Sequence, residues 1–242
     1  MKVLGVQFFE GNVSESLYEA QKGGLVVAPS GPGLSKDLIT SDAYRLSLIN
    51  AEIVLPDSGL LCLWLKIFKR KHLRRISGLE FLKQFLDYID PQAPSFWVMP
   101  DKVQSEENLT WLRKVYRFEI DNESVYQAPL YEKEGPIKDE KLLSMIESKE
   151  YNYIFIQLGG GVQERLGLYL RQNLSYKPTI LCTGAALAFL SGVQIRIPNW
   201  ADKYYLGWLL RCFSNPQIFI PRYLGAFRLI YLLLKHGKKS PV

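Results

Sequence analysis

Residues 151–186 read YNYIFIQLGGGVQERLGLYLRQNLSYKPTILCTGAA, and this stretch decides the fold. Two short apolar runs with several β-branched residues, Tyr153–Leu158 and Thr179–Thr183, are typical of buried strands. Between them, Gln163–Asn173 has the periodicity of a helix. A strand, a helix and a second strand in this order predict a parallel sheet covered by helices.

The same alternation extends through the first 150 residues. Strands are predicted for Lys2–Phe8, Gly24–Ala28, Glu52–Leu55, Phe96–Met99 and Tyr116–Ile120. Helices are predicted for Val13–Gln21, Ser35–Asn50, Leu79–Tyr88, Ser105–Lys114 and Lys138–Ser148. We therefore predict an α/β fold with a mostly parallel sheet flanked by helices.

The composition is that of a globular protein with an anionic partner. The 242 residues are 48% hydrophobic, which is enough to bury a full core, and the formal net charge is +6. That charge suits a nucleotide, a phospholipid surface or a nucleic acid. Three widely spaced cysteines, Cys62, Cys182 and Cys212, indicate neither a disulfide framework nor a zinc cluster. Because no apolar run approaches the ~18 residues of a membrane span, we expect a soluble or peripheral protein in a reducing compartment.

The composition changes near Asn199. From there to the C-terminus aromatic and basic residues alternate, and Asp202 is the only acidic residue. This pattern is typical of an amphipathic basic segment that binds a membrane interface, a nucleic acid or a partner helix. We therefore divide the chain into a core, residues 1–198, and an appendage, residues 199–242, whose charged tail Lys235–Val242 is expected to be frayed.

Ligands of parallel sheets bind at the carboxyl ends of the strands, so the loops there are the candidate site. Asp57 follows one predicted strand and suits either a general base or a simple turn. The Gly159–Gly161 turn precedes a helix and suits either a phosphate or an unliganded turn. His72 and His236 are isolated, which favours neither a metal site nor a nucleophilic triad.

Five segments in this order carry a resemblance to a known family. Together they are similar to the bacterial WecG/TagA/CpsF glycosyltransferases, which include N-acetylmannosaminyltransferases, and the similarity spans nearly the whole chain. The segments are Pro56-Asp57-Ser58-Gly59, Arg75-Ile76-Ser77-Gly78-Leu79-Glu80-Phe81, Gly161-Val162-Gln163-Glu164, Arg196-Ile197-Pro198-Asn199-Trp200, and Leu206-Gly207-Trp208-Leu209-Leu210-Arg211 with Asn215-Pro216 and Arg222-Tyr223.

The resemblance implies a Rossmann-like core with a basic, aromatic-rich helical appendage over the active site. It implies an inverting, metal-independent transfer from a UDP-sugar donor to an undecaprenyl-diphosphate-linked acceptor, with no cofactor besides the donor. It also implies a cytoplasmic enzyme, peripheral on the inner face of the bacterial membrane and bound to an anionic membrane surface. Nucleic acid is not an expected partner, and the sequence is compatible with a homo-oligomer.

The resemblance also assigns residues to roles. Asp57 is implied as the catalytic base, and Arg75 and Gln163 as further catalytic residues. The donor contacts implied are Gly160, Gly161, Glu164, Gly184, Ala185, Arg196, Arg211 and Arg222.

The sequence departs from the family pattern at four places, among them the Pro-Lys missing before Gln163 and an arginine missing near Gln217-Ile218. Ala28-Pro29-Ser30 stands where the family has Thr-x-Asn, and Met99-Pro100-Asp101 stands where it has Gly-Gly. The alternative is therefore a catalytically degenerate member that acts as a membrane-associated binding protein. A nucleic-acid binder is a third reading, suggested only by the basic charge and interleaved aromatic residues.

Overall fold

A computed structural model of the chain describes residues 1–132, 134–194, 198, 201 and 207–242, without the side chains of Arg211, Ile218 and Arg222. Within these residues the strands are β1 (Lys2–Val3), β2 (Val6–Gln7), β3 (Gly24–Val27), β4 (Ile53–Val54), β5 (Ser95–Met99), β6 (Val125–Gln127), β7 (Tyr153–Ile156) and β8 (Thr179–Cys182). β1 and β2 form a separate antiparallel hairpin. The other six form one sheet in the order β4-β3-β8-β7-β5-β6, and every pairing in it is parallel.

The helices connect these strands on both faces of the sheet. They are α1 (Val13–Ala20), α2 (Leu38–Thr40), α3 (Asp42–Ile49), α4 (Gly59–Phe68), α5 (Gly78–Tyr88), α6 (Lys102–Tyr116), α7 (Glu140–Glu147), α8 (Val162–Asn173), α9 (Ala186–Ser191), α10 (Gly207–Ser214), α11 (Pro216–Ala226) and α12 (Arg228–His236). A π-helical turn, Gly33–Asp37, leads into α2. Several helices begin at a Ser or Asp whose side chain accepts an N–H from the first turn, as Ser58 and Ser77 do for α4 and α5.

The alternation of side chains along each strand divides the interior into two cores. In β7, Ile154 and Ile156 pack with α3, α4 and α8, whereas Phe155 packs with α1, α5 and α9 on the opposite face. Phe155 also stacks on Trp97 of the neighbouring β5, with ring centroids 4.0 Å apart. Because both faces are covered, the strands of the sheet are mostly apolar, and the predicted α/β fold is confirmed.

The structure corrects the predicted elements in several places, and it adds α9, which was not predicted. Tyr116–Ile120 is not a strand, because α6 continues to Tyr116 and the strand there is β6. Lys2–Phe8 forms the β1–β2 hairpin outside the main sheet. The predicted helix Ser35–Asn50 is interrupted at Ser41, whose extended backbone caps α3. Helix α4 was not predicted, since its sequence GLLCLWLKIF is apolar on nearly every side.

The C-terminal helices contribute to both the cleft and the core. Leu229, Leu232 and Leu233 of α12 are buried in the same core as α4 and α8. The prediction of a frayed tail is wrong, because the carbonyls of Gly237 and Lys238 accept the N–H groups of Leu4 and Gly5 at 2.9 and 3.1 Å. The division at residue 199 stays a prediction. In the described ranges, none of the helices has both the length and the hydropathy needed to span a bilayer.

Candidate active site

A cleft of about 1090 Å³ lies at the carboxyl ends of the parallel strands. Its floor consists of the loops that follow β3, β4, β5, β7 and β8. Residues of α10 and α11 lie over this floor, and the first turns of α4 form one wall. The site predicted from strand ends is therefore a single cavity with a roof made by the C-terminal helices.

Asp57 lies at the β4 end of the cleft in a fixed orientation. Its Oδ1 accepts the N–H of Gly78 at 3.2 Å, at the start of α5, where the helix dipole attracts negative charge. Arg75 donates its Nε–H to the Asp57 carbonyl at 2.8 Å, and its Nη2 lies 3.6 Å from Asp57 Oδ1. The Asp57 side chain is 25% exposed and lines the cleft. The carboxylate is thus held from one side and accessible from the other, as a general base requires.

Gln163 lies across the cleft, in the first turn of α8. Its side-chain oxygen accepts the N–H of Gly184 at 2.7 Å, and its amide donates to Glu164 Oε1 at 3.0 Å. Gly184 has a positive φ of 68°, a conformation that favours glycine. The Gln163 side chain therefore joins the loop after β8 to the turn after β7. Gln163 and Asp57 line the same cleft, but the described contacts of Gln163 connect it to that turn and not to Asp57.

Glu164 is buried beneath the Gly159–Gly161 turn. Its Oε2 accepts the Gly161 N–H at 2.6 Å, and Gly161 has a φ of 89°. Burial raises the pKa of Glu164 to about 7, despite the hydrogen bonds from Gln163 and Gly161 that oppose this shift. Asp37, whose carboxylate approaches Gly161, adds to the rise. An acidic pair therefore lies behind the turn.

Three N–H groups where this turn leads into α8 are already used within the protein. Gly161 donates to Glu164, and the N–H groups of Val162 and Gln163 both reach the Gly159 carbonyl at 3.2 Å. Arg165 holds the turn from behind, because its guanidinium donates to the carbonyls of Gly161, Gly135 and Glu132 at 2.6–2.8 Å. A diphosphate at this turn therefore does not meet a row of unused helix N–H groups.

The remaining residues assigned by the resemblance divide into two groups. Gly160, Gly184 and Ala185 line the cleft beside Gln163. Arg196 lies outside the described residues, and the side chains of Arg211 and Arg222 are not described. The cleft therefore brings together Asp57, Arg75, Gln163, Glu164 and the three small residues, while the structure leaves the positions of the three arginine side chains as predictions.

Four residues that line the cleft or contact its glycine turn were not predicted from the sequence. Asp37 and Arg165 reach the Gly159–Gly161 turn, and Gln157 and Thr183 line the floor at the ends of β7 and β8. Gln157 and Thr183 had a usable signal, since each is a polar residue directly after a buried apolar strand. Asp37 and Arg165 had none, because their role depends on a turn brought to them by the tertiary fold.

Comparison with known proteins identifies the family. The model of the family described as "Glycosyl transferase WecG/TagA/CpsF family" matches residues 1–241. The chain belongs to this family. It is also 23% identical over 234 residues to an N-acetylglucosaminyldiphosphoundecaprenol N-acetyl-beta-D-mannosaminyltransferase of Bacillus spizizenii, covering 93% of this chain and 85% of that protein.

Membership in the WecG/TagA/CpsF family makes the chain a glycosyltransferase. The match runs through the α/β core and the C-terminal helices alike, which agrees with a cleft built from both. The resemblance inferred from the five segments is therefore confirmed.

Proposed function

We propose that this glycosyltransferase transfers a sugar, of the N-acetylmannosamine type or a related hexose, from a UDP-sugar to a polyprenyl-diphosphate-linked acceptor with inversion of configuration. The observation that carries the proposal is the fixed Asp57 carboxylate, which lies in one cleft with the glycine turn after β7 and beneath an apolar roof. The similar Bacillus spizizenii protein, whose name specifies an N-acetylglucosaminyldiphosphoundecaprenol acceptor, supports the acceptor class. The product belongs to cell-surface polysaccharide synthesis.

Asp57 is proposed as the general base. An acceptor hydroxyl has a pKa far above neutrality, so its proton has to be removed as the oxygen attacks the anomeric carbon. In-line attack on the face opposite the diphosphate inverts that carbon. Gly78 and Arg75 hold the Asp57 carboxylate in place at the edge of the cleft, where the acceptor hydroxyl is proposed to lie.

The leaving diphosphate needs positive charge, and arginines are proposed to supply it. Arg211 and Arg222 belong to the helices over the cleft, and Arg196 precedes them. Because the N–H groups at the start of α8 are used within the protein, guanidinium groups are the better source of donors to the diphosphate. Metal independence is part of the proposal; in the described ranges no group of three or more His, Cys, Asp or Glu side chains is placed to hold a metal ion.

Exposed apolar residues on the roof of the cleft favour binding of the enzyme to a membrane surface. Phe213, Leu224 and Phe227 are 75, 63 and 60% exposed, although each also lines the cleft. Ile67 and Phe68, near the end of α4, are exposed as well, and a run of basic residues follows them. Aromatic and basic residues together favour an anionic bilayer surface. We therefore propose that the enzyme is peripheral on the cytoplasmic face of the bacterial membrane, where its lipid acceptor lies.

The direct test is turnover. Purified chain is incubated with a panel of UDP-sugars and a short-chain lipid-diphosphate amino-sugar acceptor, and release of UDP and mass of the product are measured with and without EDTA. We expect one or a few UDP-sugars to be consumed, at the same rate with EDTA. UDP binding without turnover of any donor would instead favour the degenerate binding protein, for which the changed Ala28-Pro29-Ser30 loop is the argument.

A second test concerns the membrane. Replacing Arg228, Lys235, Lys238 and Lys239 by glutamine removes four exposed charges, and each is worth ~1 kcal/mol near anionic lipid. We expect cosedimentation with phosphatidylglycerol vesicles to fall steeply at low salt, while turnover of a soluble acceptor stays unchanged. The matched control replaces Lys83, Lys102, Lys114 and Lys141, which are exposed on α5, α6 and α7. Equal loss in both variants would show that net charge alone, and not this surface, binds the vesicle.

A further inference from the structure

Two buried polar side chains on the cleft floor have no hydrogen-bond partner among the described residues. Both the amide nitrogen and the oxygen of Gln157 are unpaired, and so is the hydroxyl of Thr183. Only 6% of Gln157 and 7% of Thr183 are exposed. Because buried polar groups are almost always paired in folded proteins, two such residues side by side indicate a missing partner.

The sheet places these two residues next to each other. Ile156 and Cys182 are paired in the β7–β8 ladder, so Gln157 and Thr183 are the first residues past the two strand ends. Both line the cleft, and the backbone N–H of Gln157 is bonded to the Val98 carbonyl of β5 at 2.9 Å. The side chains are therefore anchored by rigid strands while their polar atoms are left unpaired.

We propose that Gln157 and Thr183 bind the base of the donor nucleotide by the edge that carries the pyrimidine imide. A carboxamide offers a donor and an acceptor side by side, which matches the adjacent N3–H and carbonyl oxygen of uracil. The Thr183 hydroxyl, which both donates and accepts, suits a second carbonyl of the ring. This inference rests on the proposed function, since it names residues that select the nucleotide of the UDP-sugar.

The position of the pair along the sheet favours the base over the sugar. Neighbouring strands lie ~4.8 Å apart, so β8 and β7 lie about 10 and 14 Å from β4, where Asp57 is. A sugar whose anomeric carbon reacts near Asp57 keeps its acetamido group within a few ångströms of that carbon. The nucleoside, two phosphates away, reaches the β7 and β8 ends instead.

The cleft has further lining residues after β5 and on α9. They are Pro100, Gln104, Asn108 and Phe189. Asn108 is itself buried, and its side-chain oxygen accepts the Ser191 hydroxyl at 2.6 Å, so it is already paired. Among the described residues on this floor, Gln157 and Thr183 are therefore the ones whose buried polar atoms have no hydrogen-bond partner.

The test compares protein variants against two ligands that differ in one hydrogen-bond donor. Calorimetry measures binding of UDP and of N3-methyl-UDP, which lacks the imide N–H, to the native chain, Gln157→Leu and Thr183→Val. The native chain is expected to bind UDP about tenfold more tightly than the methylated ligand. Gln157→Leu should lose that preference, and Thr183→Val should weaken UDP binding severalfold. Binding of inorganic diphosphate should be the same in all three proteins.

Thermal unfolding of the unliganded proteins separates binding from folding. Removing an unpaired buried polar group relieves its desolvation penalty, so Gln157→Leu and Thr183→Val should keep or raise Tm. Tyr176→Phe is the matched control, because it also removes a buried hydroxyl but one that lies outside the cleft. It should leave UDP affinity unchanged.

The outcomes distinguish the two proposals. If the native chain binds no UDP, both the donor and the base site are wrong. If it binds UDP but ignores N3-methylation, or if Gln157→Leu keeps the native preference, the base site alone is overturned. Loss of UDP and diphosphate binding together with a lower Tm would show that Gln157 is structural, which also overturns it.

Discussion

The two ends of the cleft differ in whether their polar side chains are already hydrogen-bonded within the protein. At the β4 end the Asp57 carboxylate is partly exposed and already fixed by Gly78 and Arg75, so it is ready before any ligand binds. At the β7–β8 end Gln163 is paired within the protein, whereas Gln157, six residues earlier, is buried and unpaired among the described residues. The reacting end is therefore preorganised by the fold, while the distant end leaves hydrogen bonds for a ligand to complete.

The largest effect is expected from Asp57→Asn. The amide keeps an oxygen to accept the Gly78 N–H but has no basicity, so kcat should fall by about three decades, on the order of 4 kcal/mol. UDP affinity should stay within about twofold, because a base acts on the acceptor. Steady-state rates and calorimetry measure the two quantities, with Asp42→Asn, an exposed residue outside the cleft, as control. Retention of native kcat would remove Asp57 from the mechanism.

A smaller effect, about 3 kcal/mol, concerns the pH dependence of stability at the other end. The pKa of Glu164 is about 7 in the folded chain against 4.5 in the unfolded chain, so the folded state binds the extra proton between these values. This contribution is fully present below pH 4.5 and is lost as the pH rises through 7. Urea unfolding from pH 5 to 8 should therefore give a falling free energy in the native chain.

Glu164→Gln should remove this part of the pH dependence. Its absolute stability is not the readout, because the new amide places a donor near the Gln163 amide, which now donates to Glu164 Oε1 at 3.0 Å. The slope against pH is compared instead. Identical slopes in the two proteins would mean that Glu164 ionises normally despite its burial.

Gln163→Leu should cost about 1–3 kcal/mol of unfolding free energy, measured with urea at pH 7. The change leaves the Gly184 N–H and Glu164 Oε1 without their present partner, beside two glycines, Gly161 and Gly184, that have a positive φ. Gln157→Leu, a few residues away, should cost nothing, because its polar atoms have no partner to lose in the described part of the chain. Equal destabilisation by the two leucine substitutions would contradict the distinction between the paired Gln163 and the unpaired Gln157 at this end of the cleft.

The sequence predicted most of the sheet because its strands are buried on both faces. Tyr153–Leu158 and Thr179–Thr183 are apolar without alternation, and β7 and β8 lie within them. The failure at Tyr116–Ile120 has a physical reason: Phe118 and Ile120 are buried under α6, so their apolar character reflects core packing without a ladder. Local pattern does not separate these two kinds of burial.

The candidate site was predictable where a residue acts through its place at a strand end. Asp57 and the Gly159–Gly161 turn follow strands, and both line the cleft. The hydrogen bond from the Gly161 N–H to Glu164 was not predictable, since a Glu three residues into a helix is equally consistent with a cap and with a ligand contact. Contacts between distant segments, such as Arg165 with Gly135, depend on the tertiary fold alone.

The smallest effect is expected from Arg75→Lys, which tests whether the β4 end is held by geometry or by charge. A lysine keeps the charge but loses the planar fork that reaches both the Asp57 carbonyl and its carboxylate. Because both side chains are partly exposed and the Nη2–Oδ1 distance is 3.6 Å, the ion pair itself is weak, and stability should change by less than ~1 kcal/mol. Misplacing the carboxylate should lower kcat about tenfold with the KM for the donor little changed. Arg45→Lys, which alters a surface pair with Asp42 on α3, is the matched control and should leave both constants alone. A raised KM with native kcat would instead make Arg75 a donor-binding residue, and the preorganisation of Asp57 would then rest on Gly78 and the α5 N-terminus.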